Sequence, residues 1–316
     1  MSTFAEMPSI VPKKSLWAAL GLGFAVLAGC TTTPVKPTAV STIQPRQPVI
    51  ALALGGGGAK GFAHVGVIKV LESHGIHAVI ITGTSAGSFV GSLYASGMNA
   101  YKLQETALAL QQSDVRDMTL SSQGFLIGQK LQDYVNLQVQ NRPIEKLPLR
   151  FAAVATQLDT GAKTVFTRGN TGQAVRASCS IPNVFIPALI GGKKYVDGGL
   201  VSPIPVTAAR DMGADIVIAV DISARPKAGQ SDNAFSVFDQ TLNIMGKQGI
   251  DKELAGADVI IQPNVGNVGV LDLNSRQQSI LEGERAAQAQ LKAIDAVLAK
   301  FKASPAALQS PPVARY

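Results

Sequence analysis

Histidine is scarce in this chain and absent from most of it. Only three occur, His64, His74 and His77, and none follows Ser85 in a sequence of 316 residues. That excludes the chain order of an α/β-hydrolase triad, in which the histidine comes last, after nucleophile and acid. Cysteine is rarer still, with only Cys30 and Cys179. If Cys30 carries a lipid, Cys179 has no partner. No disulfide framework is then possible, and Cys179 reads as a small buried hydrophobe. Aromatic residues make up 5% of the chain, and no basic stripe is interleaved with them, so no nucleic-acid partner is expected. The formal charge of +7 is scattered rather than gathered into a block. Such a pattern reads as a solvated basic surface, with attraction to anionic lipid head groups as the second reading.

Small residues and glycine are abundant, and 46% of the chain is hydrophobic. That is ample for one large close-packed core. Apolar runs alternate with amphipathic segments from Val49 onward. Strands are expected at 49–54, 79–81, 151–155, 164–167, 214–221 and 258–262, with short extended pieces at 184–187 and 194–196. Helices are expected over 62–74, 86–96, 99–111, 129–140, 172–180, 203–212, 234–254 (interrupted near Gly246 and Gly249) and 275–301. This order calls for an α/β fold with a mostly parallel sheet and helices on both faces. Residues 113–128 lack periodicity yet carry Met118, Leu120, Phe125, Leu126 and Ile127. They read as a covered connection, or more sharply as a mobile flap beside an acyl-binding cleft.

The N-terminus reads as a targeting segment. Lys13 and Lys14 precede an apolar run, Leu16 to Ala28, that ends Leu27-Ala28-Gly29-Cys30. The run is short for a membrane span and has the layout of an export signal. Its end resembles a bacterial lipobox, which implies cleavage before Cys30 and lipidation there. With Thr31 next, the expected place is the outer membrane of a Gram-negative envelope, facing the periplasm. The expected organisation is a signal peptide at 1–29, a tether at 30–48, a catalytic domain at 49–302 and a disordered tail at 303–316.

The stretch from Val49 to Gly87 carries the chemistry. Gly83-Thr84-Ser85-Ala86-Gly87 fits G-x-S-x-G between a strand and a helix, a turn that lifts a serine hydroxyl clear of a sheet. Gly56-Gly57-Gly58-Ala59-Lys60-Gly61 also matches a dinucleotide fingerprint. That reading needs an acid at the end of the second strand, where the chain has none. A Walker loop needs Ser or Thr after the lysine, and Gly61 stands there. Nucleotide is therefore not expected. The glycines instead offer N–H groups for an oxyanion. With no histidine placed to act as base, a carboxylate must do so. Asp197, followed by Gly198 and Gly199, is a candidate at a strand end.

Taken in order, GGGAKG (56–61), GTSAG (83–87), Ala177-Ser178-Cys179-Ser180-Ile181-Pro182 and Asp197-Gly198-Gly199 resemble the motifs of the patatin-like phospholipases, in particular their bacterial branch. The resemblance covers roughly residues 49–221. It implies a three-layer α/β/α fold with a Ser85–Asp197 dyad and oxyanion donors at Gly56, Gly57 and Gly58. Lys60, Gly61, Gly83, Gly87, Gly198 and Gly199 would be in support, and neither metal nor cofactor is implied. Lys60 stands where the family most often has arginine, which keeps the charge and loses the planar fork. The implied activity is hydrolysis of acyl esters of phospholipids or lysophospholipids. A thioesterase, a short-chain esterase and a non-catalytic lipid-binding lipoprotein are the alternatives.

Overall fold

A computed structural model describes residues 45–223, 234–312 and 314. The signal segment and Cys30 lie outside the described residues. The chain runs β1 (Ile50–Leu54), α1 (Phe62–Ser73), β2 (Ile80–Thr84), α2 (Ala86–Ala95), α3 (Ala100–Ala109) and α4 (Gln112–Val115). Next come β3 (Met118–Ser121), β4 (Gly124–Leu126), α5 (Gln129–Gln138), β5 (Arg150–Gln157), β6 (Lys163–Phe166) and α6 (Thr171–Ser178). The rest is β7 (Ala188–Ile190), β8 (Lys193–Asp197), α7 (Val206–Asp211), β9 (Ile216–Val220), α8 (Ala234–Leu254), β10 (Val259–Ile261) and α9 (Arg276–Lys302).

The main sheet has eight strands in the order β10-β9-β1-β2-β5-β8-β7, with β6 also paired to β5. The pairs from β10 to β5 are parallel, and β5 pairs antiparallel with both β8 and β6. The middle strands are continuous apolar runs because both of their faces are covered. Strand β1 shows how the two cores divide. Ile50, Leu52 and Leu54 point into the larger core, formed with α1, α3 and α9, while Ala51 and Ala53 face Val206 and Ala209 of α7 and Met212 at its end. Large side chains on one face and alanines on the other let the short α7 sit close to the sheet. The result is the expected three-layer α/β/α architecture.

Three expectations are corrected. Residues 113–128 are not irregular: they hold α4 and an antiparallel β3–β4 hairpin. The hairpin is also stitched down. Phe125 and Leu126 N–H donate to the Val184 carbonyl at 3.0 Å each, and Ile186 N–H donates to Leu126 O at 2.8 Å. Asp117 takes the N–H groups of Gly128 and Lys130 at 2.7 and 3.0 Å. Helix α8 runs without interruption through Gly246 and Gly249, because its tertiary packing, with Ile250 buried, outweighs their low helix propensity.

The third correction concerns both ends of the domain. The segment after α9 is ordered as far as it is described, with a 3₁₀ turn at Pro305–Leu308 and a buried Ala307. It is clasped by Arg46, within the stretch expected to be tether. The Arg46 guanidinium bonds to Asp215 at 2.6 and 2.8 Å and to the Gln309 carbonyl at 2.6 Å. It also lies 5.1 Å from the centre of the Phe301 ring, and Arg46 N–H reaches Ala307 O at 2.8 Å. The folded domain therefore includes residues 45–48 and continues past residue 303.

Candidate active site

Ser85 follows β2 directly and begins α2. Its backbone is strained, at φ 53° and ψ −123°, a region that non-glycine residues rarely occupy and that costs about 1–3 kcal/mol. Four contacts hold it there. Its N–H donates to Ser178 Oγ at 2.8 Å. Its carbonyl accepts from the N–H groups of Ser88 and Phe89 at 2.8 and 3.1 Å and from Ser88 Oγ at 2.7 Å. The turn closes only because Gly87 lacks a side chain, since a Cβ there would lie 2.0 Å from the Leu54 carbonyl. Gly83 meets the same crowding from the other side, against Gly87 O. As the cap of α2, Ser85 also sits in the positive potential of that helix's N-terminus.

Asp197 ends β8 and caps a 3₁₀ turn, Gly198–Leu200. Its N–H donates to Ser180 O at 2.8 Å, and its carbonyl accepts from Thr156 Oγ1 at 2.8 Å. Oδ1 accepts the Gly199 N–H at 2.7 Å. Oδ2 is buried and has no hydrogen-bond partner. The Ser85 hydroxyl is near enough to favour the ionised carboxylate, yet short of a formed hydrogen bond to it. Resting catalytic contacts of this kind are often long and tighten only with substrate. Burial dominates the ionisation and pushes Asp197 up from 3.8 to about 6, with Ser85 and the Gly199 N–H pulling the other way. A carboxylate so placed is a better base than an exposed one and is still charged at pH 7.

The glycine loop lies against the same point. Gly58 has φ 58° and presses on the Val270 carbonyl, which also accepts the Ala59 N–H at 2.8 Å. One expected donor drops out: Gly56 N–H is spent on the Pro203 carbonyl at 3.0 Å, just as Gly55 N–H is spent on Val220 O. The N–H groups of Gly57 and Gly58 have no acceptor among the described residues. Gly56 instead packs beside Ser85, where a Cβ would come within 3.2 Å of the serine Cβ. Lys60 is buried and lines the space in front of Asp197, and Gly61 packs on Ala86. Gly198 lies against the Val154 carbonyl, with no room for a side chain.

His64 is not a base. Its Nε2 meets the Gly55 carbonyl at 2.8 Å, so that nitrogen carries the proton, and burial pushes the ring down to about 4. It braces the start of the glycine loop from behind. Cys179 is free and buried, and burial pushes its thiol well up, so it is an inert wall residue.

Ser178 has a role that its motif does not announce. Its hydroxyl accepts the Ser85 N–H and donates to Val154 O at 2.5 Å. Ser180, two residues on, receives the Asp197 N–H. A single short segment at the end of α6 thus positions the backbones of both Ser85 and Asp197. The only sequence signal for this was the pair of small polar residues before Pro182.

Ser85 lies where two chambers meet. One runs between α1, α2, α3 and α5 and is lined almost entirely by apolar groups such as Val65, Phe89, Leu103, Ala107 and Leu131. The other is lined in part by Asp197, Lys60, Thr156 and Ser223. Shape and polarity suit an ester whose acyl chain enters the first and whose alcohol occupies the second.

The architecture and this elbow define a class, a three-layer α/β/α protein with a serine at the carboxyl edge of a parallel sheet. Comparison with known proteins is consistent with it. Residues 52–210 match the family model for patatin-like phospholipases. The chain is 36% identical over 212 residues to an uncharacterized NTE family protein of Mycobacterium bovis, covering 66% of this chain and 59% of that protein. It is 34% identical over 191 residues to patatin-like phospholipase domain-containing protein 6 of Homo sapiens, covering 58% of this chain and 14% of that one. It is also 34% identical over 181 residues to lysophospholipase NTE1 of Coccidioides immitis, covering 55% of this chain and 12% of that protein. Among solved structures, VipD from Legionella pneumophila shares the fold, with a TM-score of 0.54 at 14% identity over 80% of this chain and 68% of that one. The chain belongs to the patatin-like phospholipase family. It spans under two thirds of each of these three sequence relatives.

Proposed function

We propose that the chain is a serine acyl hydrolase that cleaves carboxylic esters of phospholipids or lysophospholipids. The observation that carries this reading is the placement of Ser85, on a strained elbow beside the partnerless Oδ2 of a buried Asp197, at the junction of an apolar and a more polar chamber. In this reading Asp197 takes the Ser85 proton as Oγ attacks the ester carbonyl. The N–H groups of Gly57 and Gly58 receive the oxyanion, aided by the N-terminus of α2. The proton passes from Asp197 to the leaving alcohol as the C–O bond breaks. Water, deprotonated by Asp197, then attacks the acyl-serine, and as the acyl–Oγ bond breaks the proton returns from Asp197 to Ser85 Oγ and the fatty acid is freed. Family membership and the relative named as a lysophospholipase support the substrate class. The lipobox-like Leu27-Ala28-Gly29-Cys30 supports lipidation at Cys30 and residence in the bacterial envelope, in the outer membrane facing the periplasm.

The test is labelling and turnover. Ser85→Ala should lose both fluorophosphonate labelling and hydrolysis of a phospholipid panel, with the melting temperature retained. Persistent labelling in that variant would overturn the assignment of the nucleophile.

A further inference from the structure

The β3–β4 hairpin is patterned inside out. In β3, Met118 and Leu120 are exposed while Thr119 and Ser121 are half-buried. In β4, Phe125 is exposed between a buried Gly124 and a buried Leu126. Ser121 pairs with Gly124 and Met118 with Leu126, with a register shift between the two pairs, and Leu120 and Phe125 adjoin the Ser121–Gly124 pair with their side chains exposed. Leu120 is fully exposed and Phe125 is 62% exposed. A hairpin that only covered a core would turn these residues inward, since one face of an antiparallel pair is normally apolar and packed. The inversion is not a sign of looseness, because Val184, Ile186 and Asp117 fix the hairpin to the body.

Two further observations indicate what meets this face. The stretch from Met118 to Gln129 has no charged residue, although Asp114, Arg116, Asp117, Lys130 and Asp133 crowd either side of it. A protein partner tolerates charge at its rim, whereas the acyl-chain side of a membrane boundary disfavours it. The hairpin is also continuous with the apolar chamber. Leu126, on the opposite side of β4 from Phe125, lines the chamber that holds Ser85. Leu271, partly exposed, lines both chambers and accepts a hydrogen bond from Arg116 at the hairpin foot, at 2.9 Å.

We propose that the β3–β4 hairpin is a bilayer-contact element, lying side-on in the boundary between head groups and acyl chains of a phospholipid membrane with Leu120 and Phe125 inserted. This rests on the lipid-hydrolase reading only for its purpose, which is to set the mouth of the acyl chamber against the layer that holds the substrate. Insertion is shallow. The outer edge of β3 pairs with no other strand among the described residues and its backbone groups need water, so the element cannot enter the hydrocarbon core. Met118, at the foot, and the uncharged turn Ser121–Gly124 stay at head-group level.

The test uses the full chain. Trp17 is the sole tryptophan, so Trp17→Phe with Phe125→Trp places one reporter on the hairpin whatever else tethers the protein. In a Ser85→Ala background the vesicles are not consumed. Phosphatidylcholine vesicles with brominated acyl chains should shift the emission to the blue and quench it. Emission unaffected by vesicles overturns the proposal. So does a blue shift that grows with protein concentration and needs no vesicles, which would mean that a second copy covers the face.

A second arm keeps Ser85. Leu120→Asp with Phe125→Asp should cut hydrolysis of vesicle phosphatidylcholine roughly tenfold or more, while turnover of a soluble short-chain ester stays within about twofold. Equal loss on both substrates would make the hairpin structural and overturn the proposal. Should the unmodified protein hydrolyse neither substrate, the hydrolase reading falls, and the fluorescence arm still decides the docking.

Discussion

Asp197→Asn should make the protein inactive and more stable, and the size of the gain should depend on pH in a calculable way. Burial raises the carboxyl of Asp197 from 3.8 to about 6. Each unit corresponds to about 1.4 kcal/mol, so holding the ionised form in the fold costs about 3 kcal/mol. The sign follows from proton binding. Between pH 4 and pH 6 the folded carboxyl holds a proton that the unfolded one has released, so stability falls as pH rises through that window. Below it the cost is absent, and above pH 6 it is complete. An asparagine never ionises and keeps an oxygen for the Gly199 N–H. The variant should therefore match the parent near pH 3.5–4 and exceed it at pH 7.5 by up to about 3 kcal/mol, which for a domain of this size is a rise in Tm of about 6–12 °C. Thermal and urea unfolding at both pH values would measure it. An Asn variant that is less stable at pH 7.5, or offset by the same amount at both pH values, would refute the claim that a desolvated base sits at Asp197.

Two more outcomes follow from the site. Ser178→Ala leaves the Ser85 N–H without its acceptor, and a buried orphan donor costs about 1–3 kcal/mol. It should lower kcat with little change in KM, because the nucleophile's backbone is displaced while both chambers stay intact. Ala107→Phe narrows the apolar chamber from α3. It should lower hydrolysis of long-chain esters about tenfold and spare short-chain ones, as a substrate panel would show; a uniform fall across the panel would remove that chamber from acyl binding.

The sequence disclosed what is local. Ser85 and its flanking glycines occupy one turn between a strand and a helix and are read from five consecutive residues, although the Leu54 carbonyl that excludes a side chain at Gly87 comes from the neighbouring strand. The sheet was legible because its central strands are buried on both faces and so read as apolar runs. Asp197 was only a candidate from its own neighbourhood, since a strand-end aspartate before two glycines has many uses; its meeting with Ser85 depends on β8 pairing with β5. The status of Gly56 could not be read at all, because its acceptor, Pro203, comes from a distant loop. The hairpin at 118–126 escaped for a different reason: its apolar residues face outward, so its pattern contradicts the rule by which strands are recognised. Arg46 looked like part of a tether because nothing nearby in sequence reveals Asp215, Phe301 or Gln309 as its partners.

The Arg46 clasp has a consequence for reach. It fixes the chain's exit at the amino end of β1, on the side of the sheet away from Ser85, which lies at the carboxyl ends of the strands. An anchor at Cys30 would leave the stretch up to Arg46, which at full extension measures roughly 55 Å at about 3.5 Å per residue. A compact domain of this size is about 45–50 Å across. The lead is thus barely longer than the body it holds. A lipid-anchored molecule could roll over to press its hairpin and chamber mouth onto the leaflet that carries it, and it would have almost no slack for reaching anything farther away. In such an arrangement the arginine clasp, far from the chemistry, sets the radius of the hunting ground.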